Sequence, residues 1–296
     1  MRRAALGAAL GLGIDAVLGE PPDALHPLRA FGAVMQGVER VIYRDAVGPG
    51  TLYAAVGLGL GALAGRAVRA VAPATALAVG GRALDAAARD VGAALGAGDL
   101  TRARALVPAL VGRDPLSLDG PGLVRAAIES VAENAVDAIV APALAAAAFG
   151  APGALGYRAL NTLDAMVGHT SARYAHFGTA SARLDDVANW VPARVTAALV
   201  ALVRPRAARA VAQAVRVQAP AHPSPNAGVA EAAFAAALGV RLGGPTVYAG
   251  VTEARPVLGS GRVPTLEDLA AARRLGRDVT IALAALLVAL GVGGRR

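Results

Sequence analysis

The chain has 296 residues, a formal net charge of +8, 55% hydrophobic residues and no cysteine. The missing cysteine excludes disulfides, Fe–S clusters, thiolate zinc sites and a cysteine nucleophile. All 29 basic residues are arginine, which excludes a Schiff-base lysine and a phosphate-loop lysine, so phosphates must be held by arginines, metal ions and backbone amides.

The apolar composition is typical of a membrane protein. Mean hydropathy is +0.51 and aromatic residues make up only 3%, so the apolar bulk consists of Ala, Leu, Val and Gly, which favour closely packed helices. The arginines are scattered or flank apolar runs, with few aromatic residues to stack on bases. We therefore expect a lipid bilayer as partner and no nucleic acid.

The N-terminal segment predicts a membrane-associated helix that is retained. It begins with two arginines and an apolar run, but Asp15 interrupts the run and a cleavage pattern is not clear. The prolines of residues 20–32 then predict a loop that gathers Asp23, His26 and Arg29. An ordinary interfacial turn is the alternative interpretation of this loop.

Residues 46–65 carry no charge and are long enough to span a hydrocarbon core of roughly 30 Å. Gly57, Gly61 and Gly65 follow one another at i, i+4 spacing, which predicts close helix packing in a membrane. A dinucleotide loop is disfavoured because no strand precedes these glycines.

Further apolar runs complete the predicted fold. Residues 70–81 are too short for a span and predict a buried or re-entrant segment. Residues 138–157 contain Pro142, Pro152 and several glycines and predict a second span that is broken or kinked. Residues 85–113 predict an amphipathic helix outside the bilayer, and weaker or terminal apolar runs occupy residues 195–203 and 279–294.

With no convincing alternating strand, the sequence predicts an all-α, multi-pass integral membrane protein. We expect one domain over residues 1–296, with polar helices and loops that form a site at the membrane face.

The acidic ridge, defined as Arg125, Glu129, Glu133 and Asp137, is the strongest local signal. These residues follow at i, i+4 spacing and share one face of a helix. Three carboxylates in a row repel one another, so a metal ion or arginines from elsewhere are expected to face them. A solvated surface face is the alternative.

A second polar block lies in residues 158–194. Asn161 and Asp164 are helical neighbours, as are Asp185, Asp186 and Asn189. Carboxylates and amides in this arrangement suit Mg²⁺ with substrate phosphates, and purely structural ion pairing is the alternative. Arginines suited to phosphate recognition are Arg113, Arg125, Arg158 and Arg183.

Two other kinds of site find less support. His169 and His176 have no third ligand at metal spacing, which argues against zinc. Ser130 and Ser181 lack a histidine arrangement typical of a hydrolytic nucleophile. In the Pro-flanked loop 222–228, Ser224 or Asn226 is expected to cap a helix that carries Glu231.

The polar blocks resemble, in order, the adenosylcobinamide-phosphate synthases of cobalamin biosynthesis, the CobD/CbiB family. The matching segments, which run from about Asp15 to Gly250, are GEPPDALHPLRAFG (19–32), LVGRD (110–114), RAAIESVAEN (125–134), APGALGYRALNTLDAMVGH (151–169), FGTASARLDDVANWVPAR (177–194) and HPSPNAG (222–228). The chain departs from the family pattern at Ala138, Ala165, Thr179 and Val229. None of these changes removes a carboxylate or arginine, but Val229 replaces a usual Trp and puts a stacking role there in doubt.

The resemblance implies a multi-pass enzyme of the cell membrane that forms an amide bond. It would join (R)-1-amino-2-propanol phosphate, or a related amino alcohol, to the free propionate of adenosylcobyric acid, using ATP and Mg²⁺. Without lysine, ATP cannot be held by a Walker-type site. Association with other cobalamin-assembly enzymes or with further copies of itself is also implied.

On this resemblance we assign roles as hypotheses. The catalytic set is Glu129, Glu133, Asp137, Asp185 and Asp186, of which Glu129, Glu133 and Asp185 would hold Mg²⁺ and Asp137 would take the proton of the amine. The substrate-binding set is His26, Arg29, Arg113, Asp114, Arg125, Asn134, Arg158, Asn161, Asp164, Arg183, Asn189, His222, Ser224, Asn226 and Glu231. A transporter or scaffold subunit of a cobalamin or cobalt system is the competing hypothesis.

Overall fold

The computed structural model describes residues 1–21, 26–111, 116, 118–168, 171–244, 246–248, 251–253 and 255–293. Its α-helices are α1 (Arg2–Leu18), α2 (Pro27–Ile42), α3 (Val47–Val68), α4 (Val71–Ala78), α5 (Gly81–Gly96), α6 (Leu100–Leu106), α7 (Gly120–Ala135), α8 (Ala141–Val167), α9 (Thr179–Val203), α10 (Ala208–Val217), α11 (Ala227–Leu238) and α12 (Leu266–Val292). A π-helical turn, Val136–Val140, joins α7 to α8. Strand β1 (Leu242–Gly243) pairs antiparallel with β4 (Val257–Leu258), and β2 (Thr246–Tyr248) pairs antiparallel with β3 (Val251–Glu253).

The predicted fold class, an all-α multi-pass membrane protein, is confirmed. Among the described residues, four helical segments are long and apolar enough to cross a membrane: Val47–Val68, Gly120–Val167, Thr179–Val203 and Leu266–Val292. The first two contain the predicted spans. The last two extend well before the apolar runs at 195–203 and 279–294, because their polar first halves are also helical.

The chain divides into two compact units. The first unit comprises Met1–Gly80, Asp137–Asn189 and Ala284–Arg296, and the second comprises Gly81–Val136 and Trp190–Leu283. The prediction of one domain over the whole chain stays a prediction.

Close packing of α3 against α8 builds the first unit, as the glycine spacing predicts. A Cβ added at Gly57 would lie 2.6 Å from Leu163 Cδ1, and one at Gly61 would lie 2.5 Å from the Ala159 Cβ. At Gly65 the added Cβ would meet the Ala151 carbonyl oxygen and lie 2.5 Å from Pro152 Cα. Only glycine therefore lets the two backbones approach this closely.

Replacing Gly65 by alanine is expected to destabilise the first unit by about 1–3 kcal/mol, because the methyl group would meet rigid backbone of α8. Thermal unfolding of the detergent-solubilised chain measures the effect. Gly59→Ala is the matched control: it lies in the same helix, and an added Cβ there meets nothing within 4 Å. Equal midpoints for the two variants would contradict close packing at Gly65.

The other two predictions for the first unit's helices are also confirmed. Helix α8 is kinked at Gly150, which has a φ of 69° and is followed by Pro152 within the helix. Helix α4 is short and contacts α1 and α8, with Ala74, Thr75 and Ala78 buried.

The predicted loop over residues 20–32 ends earlier than expected. Helix α2 begins at Pro27, where the missing N–H costs nothing. His26 caps it, since the Leu28 N–H donates to His26 Nδ1 at 3.2 Å. Arg29 is therefore an exposed helical residue, and Asp23 lies outside the described residues.

Residues 85–113 also differ from the prediction, since they do not form one helix. Gly98, with a φ of 74°, ends the first part. The Asp99 side chain then accepts a 2.9 Å hydrogen bond from Arg102 N and caps α6.

The segment before α9 is fixed to the turn between α2 and α3. Asp45 Oδ1 accepts hydrogen bonds from the backbone N–H groups of His176 (2.9 Å) and Phe177 (3.0 Å). The His176 ring lies 2.9 Å from Asp45 Oδ2. The bonds from His176 and Phe177 lower the pKa of Asp45 to about 2. His176 thus serves to anchor the start of α9, which carries Asp185.

Candidate functional site

The α8/α9 polar cluster, defined as Tyr157, Asn161, Asp164, Asp185 and Asn189, lies in the first unit. Asn189 Nδ2 donates to Asp185 Oδ2 at 2.9 Å, and Asn161 Nδ2 approaches Asp185 Oδ1 at 3.4 Å. Tyr157 donates its hydroxyl hydrogen to Asn189 Oδ1 at 2.7 Å. Both oxygens of the Asp185 carboxylate are therefore oriented by amide donors.

Helical spacing explains why these side chains meet. Tyr157, Asn161 and Asp164 lie at i, i+4 and i+7 on one face of α8, while Asp185 and Asn189 lie at i and i+4 on α9. Asn189 is only 1% exposed, and its amide is satisfied on both sides by Tyr157 and Asp185. Burial of such a polar group is costly unless it is hydrogen-bonded.

The cluster concentrates negative charge. The Asp164 carboxylate lies close enough to those of Asp185 and Asp186 for electrostatic repulsion. Arg158 is next to Tyr157 in α8, and its buried Nε–H has no hydrogen-bond partner among the described residues. Arg158 also interacts electrostatically with Tyr157. A cation with an anionic ligand would therefore satisfy both the carboxylates and this guanidinium donor.

The donor set suits magnesium better than a metal held by protein alone. Within the described ranges, no group of three or more His, Cys, Asp or Glu side chains is placed to hold a metal ion. Mg²⁺ commonly binds through one or two carboxylates, completing its shell with water and substrate phosphates. Asp164 and Asp185, with neighbouring amides, fit that pattern.

The acidic ridge is not one continuous row. Its first three members lie on α7 in the second unit, whereas Asp137 lies in the π-helical turn and belongs to the first unit. A π turn changes the hydrogen-bond register, so the i, i+4 spacing does not carry through to Asp137. Asp137 instead interacts electrostatically with Tyr157 of the polar cluster.

Glu129 does not lie on a solvated face, so the surface alternative is wrong for it. The residue is 1% exposed. Its Oε1 lies 4.0 Å from Arg125 Nε of the same ridge and accepts a 2.6 Å hydrogen bond from the backbone N–H of Gly243 in β1. Glu133 is half-buried. Asn134 donates its side-chain amide to the Ser130 carbonyl at 3.0 Å.

The 222–228 loop organises a second polar group, also in the second unit. His222 Nδ1 accepts from Ser224 N at 3.1 Å, while its Nε2 lies 3.8 Å from Glu231 Oε1. Both side chains are 2% exposed. A Cβ added at Gly228 would lie 2.5 Å from that of His222, so glycine is required there for the histidine to pack against α11.

Ser224, rather than Asn226, caps α11. Its Oγ accepts from the N–H groups of Asn226 (3.3 Å) and Ala227 (3.1 Å). The Asn226 side chain instead accepts from Arg194 Nη1 at 3.0 Å. Arg194 also lies over the Trp190 ring, 4.3 Å from its centroid. The sequence hypothesis left Arg194 out, although it ends one of the motif segments quoted above.

The predicted site residues thus fall in both units. In the first unit, the structure brings together the residues of the α8/α9 polar cluster. In the second unit it brings together two separate groups, Arg125 with Glu129, and His222 with Ser224 and Glu231. His26 is buried, with its Nε2 3.8 Å from Glu20. Arg183 is exposed, and Arg113, Asp114 and His169 lie outside the described residues.

Comparison with known proteins places these residues in a family context. The chain is 50% identical over 300 residues to "Cobalamin biosynthesis protein CobD" of Mycobacterium tuberculosis (strain ATCC 25618 / H37Rv), covering 97% of this chain and 95% of that protein. It is 44% identical to the protein of that name from Chromobacterium violaceum (92% and 91% covered) and 41% identical to that from Geobacter metallireducens (85% of each). No solved structure matches the chain significantly. The pattern of the CobD/Cbib protein family matches residues 8–276, and the chain belongs to that family.

Proposed function

We propose that this chain forms the amide bond that converts adenosylcobyric acid to adenosylcobinamide phosphate in cobalamin biosynthesis. The amine would be (R)-1-amino-2-propanol phosphate or a related amino alcohol, and ATP with Mg²⁺ would drive the reaction. Family membership and the names of the related proteins support the pathway. The observation that carries the reaction type is the α8/α9 polar cluster, in which amide donors orient the Asp185 carboxylate.

The chemistry requires activation of the corrinoid carboxylate. An amine does not displace hydroxide unaided, so a carboxylate oxygen first attacks the terminal phosphorus of ATP and ADP leaves. The amine nitrogen then attacks the acyl-phosphate carbon, inorganic phosphate leaves, and a base takes the proton of the amine. Asp137, beside the polar cluster, is our proposal for that base.

The protein's own residues would position the phosphates. Asp164 and Asp185 would hold Mg²⁺, which when bound neutralises developing phosphate charge. Asn161 and Asn189 fix the Asp185 carboxylate, and Tyr157 fixes Asn189. The unsatisfied Arg158 Nε–H would donate to a phosphate oxygen. The earlier metal hypothesis for Glu129 is weaker, because its Oε1 already accepts from Gly243 N.

The four apolar helical segments support a location in a membrane, and we propose that this is the cell membrane. The corrinoid and the amino-alcohol phosphate are the partners that the proposed reaction requires. Association with other cobalamin-assembly enzymes, or between copies of the chain, remains part of the proposal.

A transporter is the second candidate, because one observation favours it. Asp164 and Asp185 lie within two of the helical segments that are long and apolar enough to cross a membrane, whereas the sequence predicted that the polar helices and loops form a site at the membrane face. Intramembrane carboxylates are typical of transport pathways. Uptake of a labelled corrinoid by vesicles containing the purified chain, without amide formation, would favour this alternative.

The test of the proposed function is an assay of the detergent-purified full chain with adenosylcobyric acid, (R)-1-amino-2-propanol phosphate, ATP and Mg²⁺. We expect an amide product by mass spectrometry, with one ADP and one phosphate released per amide. Omission of any component serves as the control. Absence of product with all four present would contradict the proposal.

A further inference from the structure

A cavity of about 490 Å³ opens in the second unit beside the 222–228 loop. It is lined by Arg194 of α9, by Val215 and Arg216 of α10, and by Ala219, His222, Val229 and three prolines of the segment 219–229. Both charged lining residues are arginines, and none of the lining residues is acidic. Its volume lies in the range that holds small organic ligands, roughly 300–1,000 Å³.

Arg194 is fixed in place yet retains donors. Its Nη1 donates to the carbonyl of Trp190 and to Asn226 Oδ1, both at 3.0 Å, while its Cζ lies over the Trp190 ring, 4.3 Å from the ring centroid. Its Nε–H and Nη2–H groups have no hydrogen-bond partner in the part of the chain that the structure describes. An arginine held this way loses little further conformational freedom on binding an anion.

Arg216 supplies the second positive charge. It is exposed near the end of α10, and no hydrogen bond or ion pair joins it to the described residues. Glu231 is not among the lining residues, and its Oε1 lies 3.8 Å from Nε2 of the lining residue His222. Two arginines without a carboxylate among the lining residues make the cavity attractive to a doubly charged anion.

We propose that this cavity binds the phosphate group of a small phosphate monoester, held by Arg194 and Arg216. Planar guanidinium groups match phosphate oxygens in geometry and charge. The remaining lining, from prolines, Val215, Ala219 and Val229, suits a short aliphatic chain rather than a sugar or a base. On the proposed function, on which this assignment of the ligand rests, the ester is the amino-alcohol phosphate.

The discriminating variant is Arg216→Gln, because Arg216 is exposed and its replacement leaves Arg194, Asn226 and the 222–228 loop intact. We expect 2-aminoethyl phosphate to bind the detergent-solubilised full chain and its Kd to rise at least about tenfold in the variant, as for loss of a charged hydrogen bond. Arg209→Gln is the matched control, since Arg209 is exposed on the same helix and does not line the cavity. An unchanged Kd for Arg216→Gln would overturn the proposal.

Three further ligands separate the sources of phosphate. Aminoethanol, which lacks phosphate, is expected not to compete with 2-aminoethyl phosphate. Dihexanoyl phosphatidic acid and ATP represent a lipid headgroup and a nucleotide. The proposal would also be overturned if phosphatidic acid or ATP bound in an Arg216-dependent way and 2-aminoethyl phosphate did not compete with it.

These binding measurements need neither corrinoid nor ATP, so they are independent of the amide-forming assay. Arg216-dependent binding in a chain that forms no amide would support the cavity and refute the proposed function. Amide formation with an unchanged KM for the amine phosphate in Arg216→Gln would support the function and refute the cavity.

Discussion

Replacing Asp185 by asparagine is expected to lower kcat for amide formation by at least about 100-fold, as for loss of a group that stabilises transition-state charge. Asp185 is the one carboxylate of the α8/α9 polar cluster whose two oxygens are both met by amide donors. Asparagine keeps the size of the side chain but removes its charge, so the loss should arise from weaker Mg²⁺ and phosphate binding. A higher Mg²⁺ concentration for half-maximal rate is expected as well.

The matched control is Asp90→Asn, which makes the same chemical change at a half-exposed carboxylate paired only with its neighbour Arg89 among the described residues. Its rate should equal that of the parent chain. Thermal unfolding of both variants separates chemistry from folding. Parental kcat and Mg²⁺ dependence in Asp185→Asn would remove Asp185 from the proposed site.

The fold was predictable wherever local sequence decides the structure. The uncharged run 46–65 predicted a helix long enough to span a membrane, and the spacing of Gly57, Gly61 and Gly65 predicted the face that packs against another helix. Both predictions are confirmed. The full length of α9 was not predictable from hydropathy, because its first half carries Asp185, Asp186 and Asn189. The strands were not predicted because strands of two or three residues are too short to show an alternation of apolar and polar residues.

Within the candidate site, the sequence could predict only contacts between residues three or four positions apart in one helix. The spacing of Asp185 and Asn189 predicted their proximity, which a 2.9 Å hydrogen bond confirms. Contacts between distant segments left no local signal: Tyr157 and Asn189 are 32 residues apart, and Glu129 and Gly243 are 114 apart. The π-helical turn that takes Asp137 out of the ridge is likewise invisible to i, i+4 counting.

Replacing Glu129 by alanine is expected to destabilise the second unit by about 1–3 kcal/mol, the cost of leaving the buried Gly243 N–H without its hydrogen-bond acceptor. Glu129 is 1% exposed and accepts from Gly243 N at 2.6 Å. Its Oε1 also lies 4.0 Å from Arg125 Nε, which is an ion-pair distance and too long for a hydrogen bond. Denaturation in detergent should show a lower midpoint for Glu129→Ala, whereas Asp90→Ala should unfold as the parent chain does.

Glu129→Gln separates a structural role from metal binding. Glutamine retains an oxygen that accepts from Gly243 N. If Glu129 serves only to hold β1 in place, the Glu129→Gln chain should keep most of its stability and catalytic rate. A Mg²⁺ ligand should instead lose rate as severely as Asp185→Asn does. Because the carboxylate already binds Gly243 N, we expect the first result. A stable Glu129→Gln chain with a 100-fold lower kcat would return Glu129 to the metal site, by the same charge argument as for Asp185.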